Sequence, residues 1–136
     1  MGTTYITRGD AEFEGLVTHV KSPNGLVQHA GYDDRGNIVV STDSSTNATT
    51  RYTWDPKWDF STSVIPPEGD RVDMAYDATT GNRLWQDDAR GQTSRVTFSY
   101  WTTGNKGGLL RYVDGPLEPA SEIDYDALGN VLSNKT

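Results

Sequence analysis

The chain has 136 residues, 34% of them apolar, and a formal net charge of −7, which suits one domain with a modest core. Its acidic residues are scattered rather than blocked, which disfavours nucleic acid and membrane insertion as modes of partnering. Seven Tyr, four Trp and three Phe are too many aromatics for a disordered chain, no run approaches the ~20 apolar residues of a membrane span, and the absence of Cys excludes disulfides and thiolate metal sites.

Read in chain order, the first residues show no basic region followed by an apolar stretch, so no signal peptide is expected. Thr3-Thr4-Tyr5 reads as a return strand without its partner, with Tyr5 as an outlying early marker. Next come five pairs of short segments. The first members are "GLVTHV", "NIVVST", "STSVI", "NRLWQD" and "GLLRYV", rich in β-branched and aliphatic residues. The turns that follow are "KSPNG", "DSSTNAT", "PPEGD", "DARGQ" and "DGPLEP", built from the residues that turns require. The second members end at Tyr32, Trp54, Tyr76, Tyr100 and Tyr125, and the residues two and four before each marker are mostly apolar or aromatic, with polar residues between. That alternation is the mark of a strand with one face buried. "GNVLSNKT" closes the chain as the first strand of a sixth pair.

The marker spacings are 22, 22, 24 and 25 residues, the range of stacked supersecondary units. The expected repeat units are 15–32, 33–54, 55–76, 77–100 and 101–125, with partial units at both termini, forming one β-domain over 1–136. Between hairpins lie "YDDRGN", "YDATTGN" and "YDALGN". Their Asp begins a tight turn by accepting backbone N–H bonds, and their Gly supplies the positive φ of the reversal. "YWTTGN" is a copy with Trp101 in place of Asp that keeps Gly104 and Asn105, and "WDPKWDF" is a diverged copy without Gly-Asn, where a longer excursion is expected. The whole reads as all-β: consecutive antiparallel hairpins, about ten to twelve strands, in a curled, spiralling sheet. The markers are expected on one face as filled core.

These units resemble RHS repeats, also called YD repeats. The residues that carry the resemblance are Tyr32, Asp33, Gly36 and Asn37; Trp54 and Asp55; Tyr76, Asp77, Gly81 and Asn82; Tyr100, Gly104 and Asn105; and Tyr125, Asp126, Gly129 and Asn130. "STSVIPPEGDRVDMAYD" and "RLWQDDARGQTSRVTFSY" follow the strand–turn–strand portion, so the resemblance covers roughly residues 15–136. It implies a β-solenoid-like scaffold of the kind that closes, in large members, into a shell around a C-terminal toxin domain or forms part of an adhesion protein. It implies a bacterial, secreted or cell-surface setting, with other repeats or an encapsulated C-terminal domain of a parent chain as partners, and no cofactor. The chain is too short for a shell and lacks a recognisable version of the family's autoproteolytic C-terminal segment. The scaffold is therefore transferred and the cleavage activity is not: the chain reads as an excised stretch of shell or a small repeat protein, not an enzyme.

Other features have blander readings. Arg8-Gly9-Asp10 spells an integrin-binding tripeptide, yet Gly9 suits any turn. Asp33-Asp34, Asp87-Asp88 and Asp124 with Asp126 lack the oxygen spacing of a calcium loop. Asn47-Ala48-Thr49 and Asn134-Lys135-Thr136 fit a glycosylation pattern. His19 and His29, five residues either side of Asn24, are expected to face each other across the first hairpin as an outer-face pair and not as a metal site, for which no carboxylate partners can be placed. The second functional reading is carbohydrate binding, with Trp58, Trp85 and Trp101 offering rings to sugar C–H faces. The two free ends favour edge-to-edge association of copies.

Overall fold

The computed structural model describes residues 3–9, 14–117 and 119–136. Twelve strands follow one another: β1 Tyr5–Arg8, β2 Val17–Lys21, β3 Val27–Tyr32, β4 Ile38–Asp43, β5 Ala48–Trp54, β6 Ser61–Ile65, β7 Val72–Tyr76, β8 Arg83–Asp87, β9 Val96–Tyr100, β10 Leu110–Asp114, β11 Ser121–Tyr125 and β12 Val131–Lys135. Two short 3-10 turns, Gly91–Ser94 and Gly104–Lys106, are the only helical pieces among the described residues. The chain divides into two compact units, Met1–Arg71 and Val72–Thr136. In the first, β1 to β6 form an antiparallel meander, each strand pairing with its neighbour in sequence. In the second, β7 to β12 do the same.

Each predicted first and second member is a strand, and the return strands end at the markers because the Asp or its substitute reverses the chain there. The pairings carry a feature that the sequence does not advertise. Tyr32 pairs with Ile38 while Gly31 pairs with Val40, so Val39 is an extra residue on β4. The same one-residue bulge recurs opposite Trp54, Tyr76, Tyr100 and Tyr125, where Thr62, Leu84, Arg111 and Leu132 are the extra residues. It recurs once more opposite Arg8, where Thr18 is extra. A bulge at the start of every outgoing strand bends it and increases its right-handed twist at a fixed place in each period.

This register corrects one expectation. Arg8, and not Tyr5, stands at the position of the markers: it pairs across the bulge as Tyr32 does, and Gly9 N–H donates to Leu16 O (3.3 Å) as Asp33 N–H donates to Asn37 O (2.9 Å). The aromatic character of Tyr5 suggested a marker, but Tyr5 faces Lys21 at the far end of the ladder.

A second correction concerns the core. No apolar side chain among the described residues is fully buried; the buried residues are Ser63, Asp87 and Ser94. The markers are half-buried. With no α-helix among the described residues to pack on either face, side chains of a sheet cover one another only laterally.

Candidate functional site

The recurring element is the linking turn, and its geometry follows from its Asp. Asp33 Oδ1 accepts from the backbone N–H groups of Arg35 (3.0 Å) and Asn37 (2.8 Å), and Oδ2 accepts from the Asn37 side chain (3.2 Å). Asp126 repeats this with Leu128 N (2.8 Å), Asn130 N (2.9 Å) and the Asn130 side chain (3.0 Å). Asp77 Oδ1 accepts from Thr79 N (2.9 Å) and Thr80 N (2.7 Å), one residue being added to the turn. Gly36, Gly81 and Gly129 then take φ of 83°, 75° and 86°, the left-handed region that favours glycine. Their N–H groups close the turn onto the carbonyls of Asp33, Asp77 and Asp126.

The two diverged copies differ from expectation. The turn after Trp54 is no longer than that after Tyr76: Asp55 N–H donates to Phe60 O (2.8 Å), and Asp59 takes the glycine's place with φ 54°. Asp tolerates this region because its short polar side chain can bond locally. The longer excursion follows Tyr100 instead. There Trp101 pairs with Leu109 (2.9 Å), and Gly108 (φ 86°), not Gly104, closes the turn onto Trp101 O (2.8 Å). Gly104 has φ 71° but opens the 3-10 turn, with Asn105 exposed inside it.

Three of the five markers share one bonding scheme, a ladder of polar tips. Tyr32 OH donates to Val17 O (2.6 Å), Trp54 Nε1 to Ile38 O (2.7 Å) and Tyr100 OH to Arg83 O (2.9 Å). Val17, Ile38 and Arg83 are the residues opposite Arg8, Tyr32 and Tyr76. Each of these rings therefore ties its polar tip to the first strand of its own hairpin, beside the preceding marker position. At 54 the Trp keeps a donor at its far end, as Tyr32 and Tyr100 do. In the first unit neighbouring linking turns also touch: Arg35 Nη1 lies 2.7 Å from Asp59 Oδ1, and the Asn37 side chain donates to the same oxygen (2.8 Å).

The tryptophans proposed for sugar binding divide. Trp58 stacks on Phe60 (centroids 6.4 Å apart), and its indole N–H is buried without a protein partner. Trp85 lies under the Arg95 guanidinium, 3.9 Å from the ring centroid. Trp101 is held by its N–H on Ile123 O (3.1 Å) and by Arg111 at 4.2 Å. It also lines a groove of about 510 Å³ between the linking turns of the second unit, with Leu84, Phe98, Tyr100, Asp77 and Asn82. Around these rings are ion pairs that sequence reasoning missed. Arg95 makes a bidentate bond to the buried Asp87 (2.8 and 2.7 Å), Lys106 reaches Asp124, and Arg111 meets Glu122 (3.1 Å). Lys106–Asp124 and Arg111–Glu122 join residues 18 and 11 apart, and no local pattern marks such pairs. Of the Arg8-Gly9-Asp10 tripeptide, Arg8 donates to Gly15 O (2.8 Å), Gly9 is turned with φ 118°, and Asp10 lies outside the described residues.

These bonds hold carboxyls below their ordinary range. The Asn130 side chain and then its backbone N–H act on Asp126, the Arg95 side chain on Asp87 and the Lys106 side chain on Asp124. At Asp33 desolvation pulls upward, but the bonds from Asn37 and Arg35 together outweigh it. Depressed folded-state values mean that the carboxylates stabilise the fold above the unfolded value of about 4, and that this contribution is lost as pH falls through that value and below. Thermal melts by circular dichroism should give a steady midpoint from neutral pH to about 5 and a falling one below about 4, with a shallower fall in Asp126→Asn. An unchanged midpoint under strongly acidic conditions would contradict this account of the turns.

No sequence-family description matches the chain, and no curated protein matches it. Solved structures do. They support an RHS/YD-repeat-like fold of consecutive antiparallel strands. The chain is similar to one in the Photorhabdus luminescens Tc holotoxin pore, with TM-score 0.76 and 14% identity over 98% of this chain and 7% of that one. It is likewise similar to a chain in the crystal structure of TcdB2-TccC3-TEV, with TM-score 0.75 and 15% identity over 96% of this chain and 7% of that one. The chain thus spans about 7% of the length of either structure it matches.

Proposed function

We propose that the chain is a non-catalytic structural module, a stretch of RHS/YD-repeat shell that encloses or displays a toxin or adhesion domain of a secreted or cell-surface protein. The repeated linking turn carries this reading. One backbone closure recurs at Asp33, Asp77 and Asp126 and persists at Asp55, where Asp59 stands for the Gly, and at Trp101, where Trp stands for the Asp, which is what a scaffold requires and a single active site does not. The similarity to toxin-complex chains over nearly the whole length supports it. The test is the genomic context. The shell reading expects further Tyr-Asp-x-x-Gly-Asn units beside this segment and a C-terminal segment of the parent chain that resists protease until the sheet is unfolded. A parent chain whose C-terminal segment is digested freely would sink encapsulation.

Taken on its own, without the neighbouring units of a parent chain, this stretch should self-associate. Among the described residues β1 and β12 each pair on one side only, and Tyr5, Ile6, Val131 and Leu132 are each more than half exposed. An outgoing strand without a return strand and a return strand without an outgoing one are complementary, so copies should pair head to tail. Light scattering over a concentration series should show growing mass for the wild type and much less for Val131→Pro, which removes a ladder donor. A strictly monomeric wild type at high concentration would refute the pairing.

Carbohydrate binding remains the second reading, now confined to the groove beside Trp101, the one tryptophan of the three that lines it. Trp101→Asp, which restores the commoner turn residue, should keep the fold and abolish any fluorescence response to oligosaccharides. No response from the wild type across a glycan array would remove this reading.

A further inference from the structure

We propose that His19 and His29 form a two-imidazole site for a divalent transition-metal ion, Cu2+ foremost, a property separate from the scaffold role. The two residues are direct cross-strand partners on β2 and β3, with ring centroids 4.0 Å apart and ring planes at 70°. They are the only histidines of the chain. By strand alternation they lie on the face opposite Tyr32, away from the marker ladder.

The bulge on β2 places a hydroxyl beside one ring. Thr18, its extra residue, donates its hydroxyl hydrogen to Thr7 O (3.4 Å). Toward His19 Nδ1, 3.3 Å away, the same hydroxyl oxygen can then only accept. In the tautomer with the proton on Nδ1, His19 donates to that oxygen and Nε2 presents its lone pair to the ion. A metal-ligating imidazole is held in the same way, donating its second N–H to an oxygen that sets tautomer and orientation.

The surroundings select the kind of ion. The two histidines lie in a transverse row of paired residues, Thr7, His19, His29, Thr42 and Thr49, with the hydroxyls of Thr42 and Thr49 3.0 Å apart. The row contains no carboxylate, so it does not suit Ca2+ or Mg2+, whereas neutral imidazoles favour Cu2+ over Ni2+ and Zn2+. No group of three or more His, Asp or Glu side chains gathers around a common point among the described residues, so solvent would complete the coordination. Lys21, two residues along β2 from His19 on the same face, opposes the ion and keeps the affinity modest.

The test is a Cu2+ titration of the intact chain at neutral pH, followed by electron paramagnetic resonance and by the thermal midpoint. Two equivalent nitrogen splittings and a raised midpoint are expected. His19→Asn and His29→Asn should each leave one nitrogen and weaken binding at least tenfold. Thr18→Val, which frees the tautomer, should weaken it by roughly tenfold while both nitrogens remain. A wild-type spectrum without nitrogen splitting would place the ion on scattered carboxylates and overturn the proposal, and so would equal affinity in the double variant His19→Asn/His29→Asn. The spectrum of the wild type decides the nitrogen count whether or not any variant folds.

Discussion

Trp54→Ala should lower the stability of the chain by about 2–3 kcal/mol, below the ~3–5 kcal/mol of a fully buried aromatic because the ring is half-buried. The informative comparison is between milder replacements. Trp54→Phe keeps an aromatic ring but removes the donor that reaches Ile38 O at 2.7 Å, and should cost about 1 kcal/mol more than Trp54→Tyr, which restores the commoner marker. Urea unfolding of the three variants settles the order. If Phe is tolerated as well as Tyr, the ladder of polar tips contributes nothing and the position selects only for ring area. Tyr100→Phe should behave like Trp54→Phe, since Tyr100 OH bonds Arg83 O in the same way.

Gly81→Val should cost about 2 kcal/mol, because a β-branched residue is forced into φ 75°. Thr79→Val, in the same turn but outside the positive-φ position, should cost much less, since Thr79 contributes its backbone N–H to Asp77. Chemical denaturation of the pair gives the difference directly. Equal losses would mean that the reversal at Gly81 can be rebuilt by the neighbouring residues.

The strands and turns were legible because they rest on local rules. Tyr32 to Asn37 spells its turn in one short run, since the Asp, the Gly and the backbone groups they serve are within four residues of each other. The facing histidines were legible for a related reason: a short turn fixes which residues sit opposite. What escaped was whatever depends on register between strands. Leu84 reads as an ordinary member of "NRLWQD", yet it is the extra residue of a bulge and 41% exposed. Arg8 shares no chemistry with Tyr32, so its place in the series shows only when its partner Val17 is known. Asp59 gives no hint in sequence that it does a glycine's work, because a left-handed Asp and an ordinary one are spelled alike. The core was overestimated because alternation reveals which face a side chain takes, and not whether anything is packed on that face.

The ladder has a direction. Tyr32, Trp54 and Tyr100 each latch backward onto the carbonyl beside the preceding marker position. In each of these hairpins the outgoing strand therefore supplies the acceptor and the return strand the donor. Removing residues ahead of Val17 would leave the latch of Tyr32 intact, whereas removing β2 with Val17 would set Tyr32 loose, and no loss beyond Tyr32 could do so through this bond. A hairpin built this way is asymmetric toward truncation: cutting away its return strand leaves only a free carbonyl, while cutting away its outgoing strand unfastens the aromatic that remains. Assembly from the amino-terminal side, in the order of synthesis, presents each new aromatic with an anchor that is already in place.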